Sequence, residues 1–253
     1  MICPVLRLNK EATTMFPIGD DDSDRTIQPI VNYVFIGINI LVFVLLQGLG
    51  GNDAFTYAFS LVPKEITTGV DITGVQIVRD SFGHSGEIKH FATPLPVYFN
   101  FLTSMFMHGS IAHIFGNMLF LWIFGDNLEN GLGHIRYAIF YIVCGLAAAT
   151  AQIIMGPDSI IPMLGASGAI SGVLGGYVLL YPRKQVRAII FNFVTTVPAF
   201  VAIGIWIVYQ LIVGYMTDPG TGGVAYAAHI GGFIAGLVLV KVFAIGRPQQ
   251  QQA

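Results

Sequence analysis

Long apolar runs separated by short polar breaks dominate the chain. A helix needs about 20 mostly apolar residues to cross the hydrocarbon of a bilayer. Six stretches predict such helices, at 30–48, 110–127, 135–155, 167–181, 198–215 and 224–244, the fourth being the shortest. Residues 91–107 are apolar but interrupted by Pro94 and Pro96, which predicts a loop that dips into the membrane or lies on it. Residues 186–197 (VRAIIFNFVTTV) read either as an interfacial stretch or as an early start of the fifth helix. The pattern therefore predicts an all-α membrane protein. It has a tail at 1–27, a six-helix domain at 28–245 with a long loop at 49–109, and a disordered tail at 246–253.

Composition sharpens this. Charged residues make up 10% of the chain and the mean hydropathy is +0.71, whereas a soluble domain is charged at roughly a quarter of its positions. A formal net charge of −2 argues against nucleic acid as a partner. The two cysteines, Cys3 and Cys144, lie far apart and imply neither a disulfide framework nor a metal pair. Residues 1–27 contain no sustained apolar core, so no cleavable signal is expected and the first apolar run would act as an anchor.

With six spans, Arg7, Lys10, Arg25, Arg183, Lys184, Arg187, Lys241 and Arg247 fall on one side of the membrane. Lys64, Arg79 and Lys89 fall on the other. Positive charge marks the cytoplasmic side, which predicts cytoplasmic termini and puts the loop 49–109 outside.

That topology gathers rare polar residues at one depth. Ser167 opens the fourth predicted helix. His229 lies roughly 8 Å inside the outer end of the sixth, taking about 1.5 Å of rise per residue. His108, His113 and Asn117 belong to the outer part of the second helix and its lead-in. Polar side chains at such depth are expensive and imply function. A serine hydroxyl becomes nucleophilic when a base takes its proton, and His229 is placed to be that base. Gly165 permits a tight turn, Gly168 a close approach, and the free N–H groups at a helix start suit an oxyanion. The stretch LGASGAISG also reads as a packing face, because Gly168, Gly172 and Gly176 recur at helical spacing, as do Gly232 and Gly236. Both readings stand together if the fourth and sixth helices touch.

Ser171, one turn deeper, lies within the hydrogen-bonded part of the helix and is the poorer nucleophile. His113 and Asn117, four apart, project from one face and can reach a shared oxygen or act as interhelical glue. A metal site built from His108, His113 and His229 lacks an Asp, Glu or Cys at the same depth to complete it. Asp126 and Glu129 lie at the opposite end of their helix, so no carboxylate is available to orient His229. A Ser–His dyad remains.

HGSIAHIFGN, ENGLG, GASG and AHIGGFIAG, taken in order, resemble the motifs of rhomboid intramembrane serine proteases over roughly residues 28–245. The resemblance implies a rhomboid-like bundle of six transmembrane helices, with Ser167 as nucleophile and His229 as general base, then acid; the lack of an evident transit peptide and the prokaryote-like six-helix plan predict a plasma (inner) membrane location. The resemblance implies an oxyanion hole made by the Ser167 N–H, His113 and Asn117, with His108, Gly165, Gly168 and Gly232 supporting the site. It also implies single-pass transmembrane protein substrates within the lipid bilayer, no metal or cofactor, and a movable gate formed by residues 216–223 with the fifth helix. Some family members carry an aromatic residue one turn after the nucleophile, where this chain has Ser171, and a Trp-Arg pair in the first loop that VYFNFLTSMF lacks. Related sequences often begin near MFPIGDDD, which makes Met15 a candidate start and residues 1–14 dispensable. The competing class is an inactive rhomboid-like factor that binds or escorts membrane proteins. A transporter or channel is disfavoured, because the polar cluster stops in the outer half of the bundle.

Overall fold

The computed structural model describes residues 16–79, 85–190, 193–216 and 224–246. Helices dominate. α1 (Ile30–Leu41) continues as a π-helical turn through Val42–Leu46, and the short α2 (Asp53–Ala58) and α3 (Pro63–Thr68) follow. The hairpin β2 (Gly74–Arg79) and β3 (Ser85–His90) precedes a broken helical segment over Val97–Phe106 that contains α4 (Asn100–Thr103). The bundle is completed by α5 (Ile111–Leu132), α6 (His134–Met155), α7 (Ser167–Leu180), α8 (Ala199–Met216) and α9 (Tyr226–Phe243). Of these, α5, α6, α8 and α9 are long and apolar enough to cross a membrane, while α1 with its π turn and α7 are shorter apolar helices. This is a mostly helical, multi-pass membrane protein.

The end of the bundle carrying residues 47–110 is the upper end, and the opposite end the lower. The apolar exterior follows from the solvent such helices meet. Ile135, Ile139, Ile154, Val208, Ile212, Val238 and Val242 all point outward. The shortest of the bundle helices from α5 onward lies innermost. At the rise of an α-helix α7 spans about 21 Å. Every residue from Ala169 to Tyr177 is buried, as expected of a helix that is apolar all round. Glycine makes this possible. A Cβ on Gly236 would strike the backbone of Gly172, and one on Gly175 would strike the backbone of Phe233, so α7 and α9 meet main chain to main chain.

Charged groups at the lower end hold the helices in register. The carboxylate of Glu129, fully buried, accepts from the N–H groups of Val31 and Asn32 at 3.0 and 2.7 Å. It thereby satisfies the first turn of α1, which has no side-chain cap of its own. The His134 ring meets the same carboxylate, after Gly133 turns the chain at φ +79°.

Three expectations need correction. The protein is not all-α: five strands form two small sheets among the described residues. The described residues of 186–197 do not start α8. They form the hairpin β4 (Gln185–Ile190) and β5 (Phe193–Pro198), which joins β1 (Phe16–Asp20) in the antiparallel order β1-β4-β5. The reason is local. Val186 and Ala188 are buried while Gln185 and Arg187 are exposed, the period-two pattern of a strand, and Val194–Val197 is a β-branched run. The described part of the leading tail packs on the bundle: Asn130 accepts from the backbone of Thr26 and Ile27, and Arg25 pairs with Asp126 at 2.7 Å. Finally, 91–107 is not a plain loop. Its helical turns bury Val97, Asn100 and Met105 against the bundle while Tyr98, Phe99 and Leu102 stay exposed. The questions about Met15 as a start, most of the 216–223 loop and the tail beyond 246 fall outside the described residues.

Candidate active site

Ser167 is the first residue of α7, and the chain reaches it through Gly165 at φ +121°, a conformation that favours glycine. Two side chains explain why no Cβ belongs there. A Cβ on Gly165 would lie 2.8 Å from Nε2 of His113 and 3.5 Å from Nδ2 of Asn117. Both side chains of α5 therefore face the turn just before Ser167. The first N–H groups of α7 have no partner within the helix, and Ala166, which precedes it, supplies no side-chain cap.

Across from α7, His229 sits one turn into α9. Its Nε2 lies 2.8 Å from the Ser167 hydroxyl oxygen. This juxtaposition depends on the glycines beneath it: a Cβ on Gly232 would collide with the carbonyl oxygen of Gly168, and one on Gly168 would lie 2.7 Å from the Ala148 Cβ. Packing and chemistry thus share the same small residues. Ser171 is engaged elsewhere, since its hydroxyl donates to the Ser167 carbonyl at 2.6 Å, a common bond of a serine inside a helix.

His108 is buried and pinned from several sides. Its N–H donates to Gln47 Oε1 at 3.0 Å, and its carbonyl accepts from Gln47 Nε2 at 2.8 Å. Its Nε2 meets Asn117 Nδ2 at 2.9 Å. The His113 ring packs edge-on against His108 at 5.1 Å, and the Ser110 hydroxyl caps the His113 N–H. His113, Asn117, Ser167 and His229 line a cavity of about 1040 Å³ that runs upward from the serine, past Gln152 and Tyr226, to Asp53, Glu87 and Lys89.

One residue at this site was not singled out by the sequence pattern. Gln210 of α8 is buried, and its Oε1 lies 2.8 Å from Nδ1 of His229. The signal was a single amide in an otherwise apolar stretch, IGIWIVYQLIVG. Trp206 and Tyr226 stand beside the same imidazole, with ring centroids at 5.9 and 6.5 Å.

Around the serine, no three His, Cys, Asp or Glu ligand atoms of the described residues lie within 4.8 Å of one another. Among the described residues, only Asp20, Asp22 and Asp126 bring such atoms within 4.8 Å of one another, and they lie at the lower end. Their oxygens already meet Arg25, Asn127 and Tyr177.

A buried histidine in hydrogen-bond contact with a serine, beneath a cavity inside an apolar helical bundle, defines a membrane-embedded Ser–His centre. Comparison with known proteins supplies the family. A family model described as the Rhomboid domain matches residues 96–245, and the chain belongs to the rhomboid family. It is 29% identical to Rhomboid protease GluP of Bacillus subtilis (strain 168) over 224 residues, covering 88% of this chain and 36% of that protein. It is 29% identical to the mitochondrial Rhomboid protein 1 of Saccharomyces cerevisiae over 219 residues, covering 81% of this chain and 51% of that protein. Rhomboid-related protein 2 of Mus musculus is 29% identical over 146 residues, covering 54% of this chain and 45% of that protein. The chain thus spans about a third to a half of the length of these relatives.

Proposed function

We propose that this protein is an intramembrane serine endopeptidase that cleaves single-pass transmembrane proteins through Ser167 and His229. The observation that carries the reading is the 2.8 Å contact between Ser167 Oγ and His229 Nε2 at the floor of a cavity. In this reading Ser167 Oγ attacks the scissile carbonyl carbon as its proton passes to Nε2. The oxyanion that forms is met by the Ser167 N–H and by His113 and Asn117. Imidazolium then gives the proton to the leaving amine, and water, activated by the same nitrogen, hydrolyses the acyl-enzyme. The chemistry needs neither metal nor cofactor.

In the same reading six helices span the plasma (inner) membrane, α1 and α7 completing the four longer ones, with the termini cytoplasmic. The cavity then opens outward, and substrates are cut near the outer face in segments whose helix unwinds readily. A helical peptide bond is shielded by its own hydrogen bonds, so an unstable stretch is the chemically accessible one. His108, Gly165, Gly168 and Gly232 support the site.

The test is cleavage of a transmembrane reporter by purified protein in lipid, alongside labelling by a fluorophosphonate probe. Wild type and Ser171→Ala are expected to cut and to label, and Ser167→Ala and His229→Ala to do neither. Labelling that survives Ser167→Ala would refute the assignment of the nucleophile.

A further inference from the structure

Among the described residues, Gln210 is the sole buried side chain of α8 with a polar end, the others being Ala199, Ala202 and Ile203. Burying an amide in an apolar helix is costly unless it is partnered. Its partner is Nδ1 of His229, at 2.8 Å. The direction of this contact matters. The Gln210 atom facing the ring is Oε1, which has no hydrogen to give, so Nδ1 must carry the proton for a bond to form. A neutral imidazole protonated at Nδ1 leaves Nε2 with its lone pair, and Nε2 is the atom that faces Ser167. The opposite tautomer would put a hydrogen between Nε2 and the serine and block proton acceptance.

We propose that Gln210 is a positioning residue for the Ser167–His229 pair, holding His229 in the tautomer and orientation in which Nε2 accepts the serine proton. This rests on the dyad reading above. An amide suits the surroundings better than the carboxylate that soluble serine hydrolases place at this point: it accepts the same hydrogen bond without burying a charge in an apolar bundle. Trp206, one turn before Gln210 on the same face of α8, limits the ring's rotation from one side. The imidazole is thus fixed by hydrogen bonds at both nitrogens and by aromatic packing.

Two variants separate positioning from packing. Gln210→Met keeps the volume and removes the acceptor, whereas Gln210→Glu keeps an acceptor oxygen in either protonation state. The Met variant is expected to lower the rate of fluorophosphonate labelling at Ser167 by about 10- to 100-fold, as befits weakened general-base action. The Glu variant is expected to recover most of that loss. Spectra of ¹⁵N-histidine-labelled protein should show His229 protonated at Nδ1 in wild type and mixed between tautomers in the Met variant. Met and Glu variants that label alike, or a wild-type His229 protonated at Nε2, would overturn the proposal while leaving the dyad intact. A wild type that the probe does not label would overturn the dyad itself, and this proposal with it.

Discussion

Adding one methyl group at Gly232 separates two effects that usually travel together. In Gly232→Ala the new Cβ collides with the carbonyl oxygen of Gly168 and sits 3.3 Å from the Ala148 Cβ. A carbonyl of the α7 backbone cannot swing aside as a side chain can. Relieving the overlap requires α7 and α9 to part by on the order of 1 Å, given ordinary contact distances of ~3.5 Å. Gly168 adjoins Ser167, and Gly232 is one helical turn beyond His229, so the separation is delivered almost undiminished to the pair. Their contact of 2.8 Å, lengthened by that much, is no longer an effective hydrogen bond. Overpacking costs about 1–3 kcal/mol, while alanine regains about 1 kcal/mol over glycine within a helix. Net stability therefore falls by at most about 2 kcal/mol. A misplacement of about 1 Å costs roughly 100-fold in rate, so activity falls far more than stability. The assay is fluorophosphonate labelling of Ser167 with a thermal melt on the same preparation. Gly204→Ala serves as control, since nothing lies within 4 Å of a Cβ there. A folded Gly232→Ala protein that labels within twofold of wild type would refute the reasoning.

Other outcomes follow from the same geometry. Asn117→Ala removes a side chain that faces the Gly165 turn, and reporter cleavage should lose about 10²- to 10³-fold in kcat with little change in KM. Glu129→Ala leaves the first N–H groups of α1 without their acceptor; a melt should show a loss of about 1–3 kcal/mol, with labelling at low temperature preserved. Burial, reinforced by Asp22 and opposed by hydrogen bonds from Tyr177 and Asn127, pushes the Asp20 carboxyl up to about 7. From about pH 4 to 7 the folded chain then keeps a proton that the unfolded chain has released, so stability falls as pH rises through that window. Asp20→Asn removes this slope. Melting temperatures of wild type and variant should diverge between about pH 4.5 and 7.5, and a constant gap would contradict the assignment.

The helices were legible because an apolar run of membrane length is hardly compatible with anything but a membrane helix. That Ser167 and His229 share one level of the bundle was legible as well: once helix starts are known, rise per residue fixes height. What sequence does not carry is azimuth, the direction in which each helix turns its faces. Gln210 was missed for that reason, since a lone amide in α8 names no partner until α8 is seen beside α9. The hairpin at 185–198 escaped differently. A β-branched run just before a membrane helix fits a strand or a helix start equally well, and the strand it pairs with, Phe16–Asp20, lies at the far end of the sequence. The buried links from Asp20 to Asn127 and Tyr177 were hidden by the same separation.

The junction between β5 and α8 has a mechanical meaning. At its foot α8 is tied to the loop before β4 by backbone hydrogen bonds from Ala199 to Lys184 and from Phe200 to Pro182. Its outward flank, by contrast, is largely exposed. A lean about that foot would turn α8 as a lever. Gln210 stands about 16 Å above the pivot along the helix axis, so a tilt of about 4° carries it about 1 Å. That displacement is enough to part it from His229. The small sheet at the lower end thus sets the fulcrum of a helix whose slightest lean is felt at the imidazole.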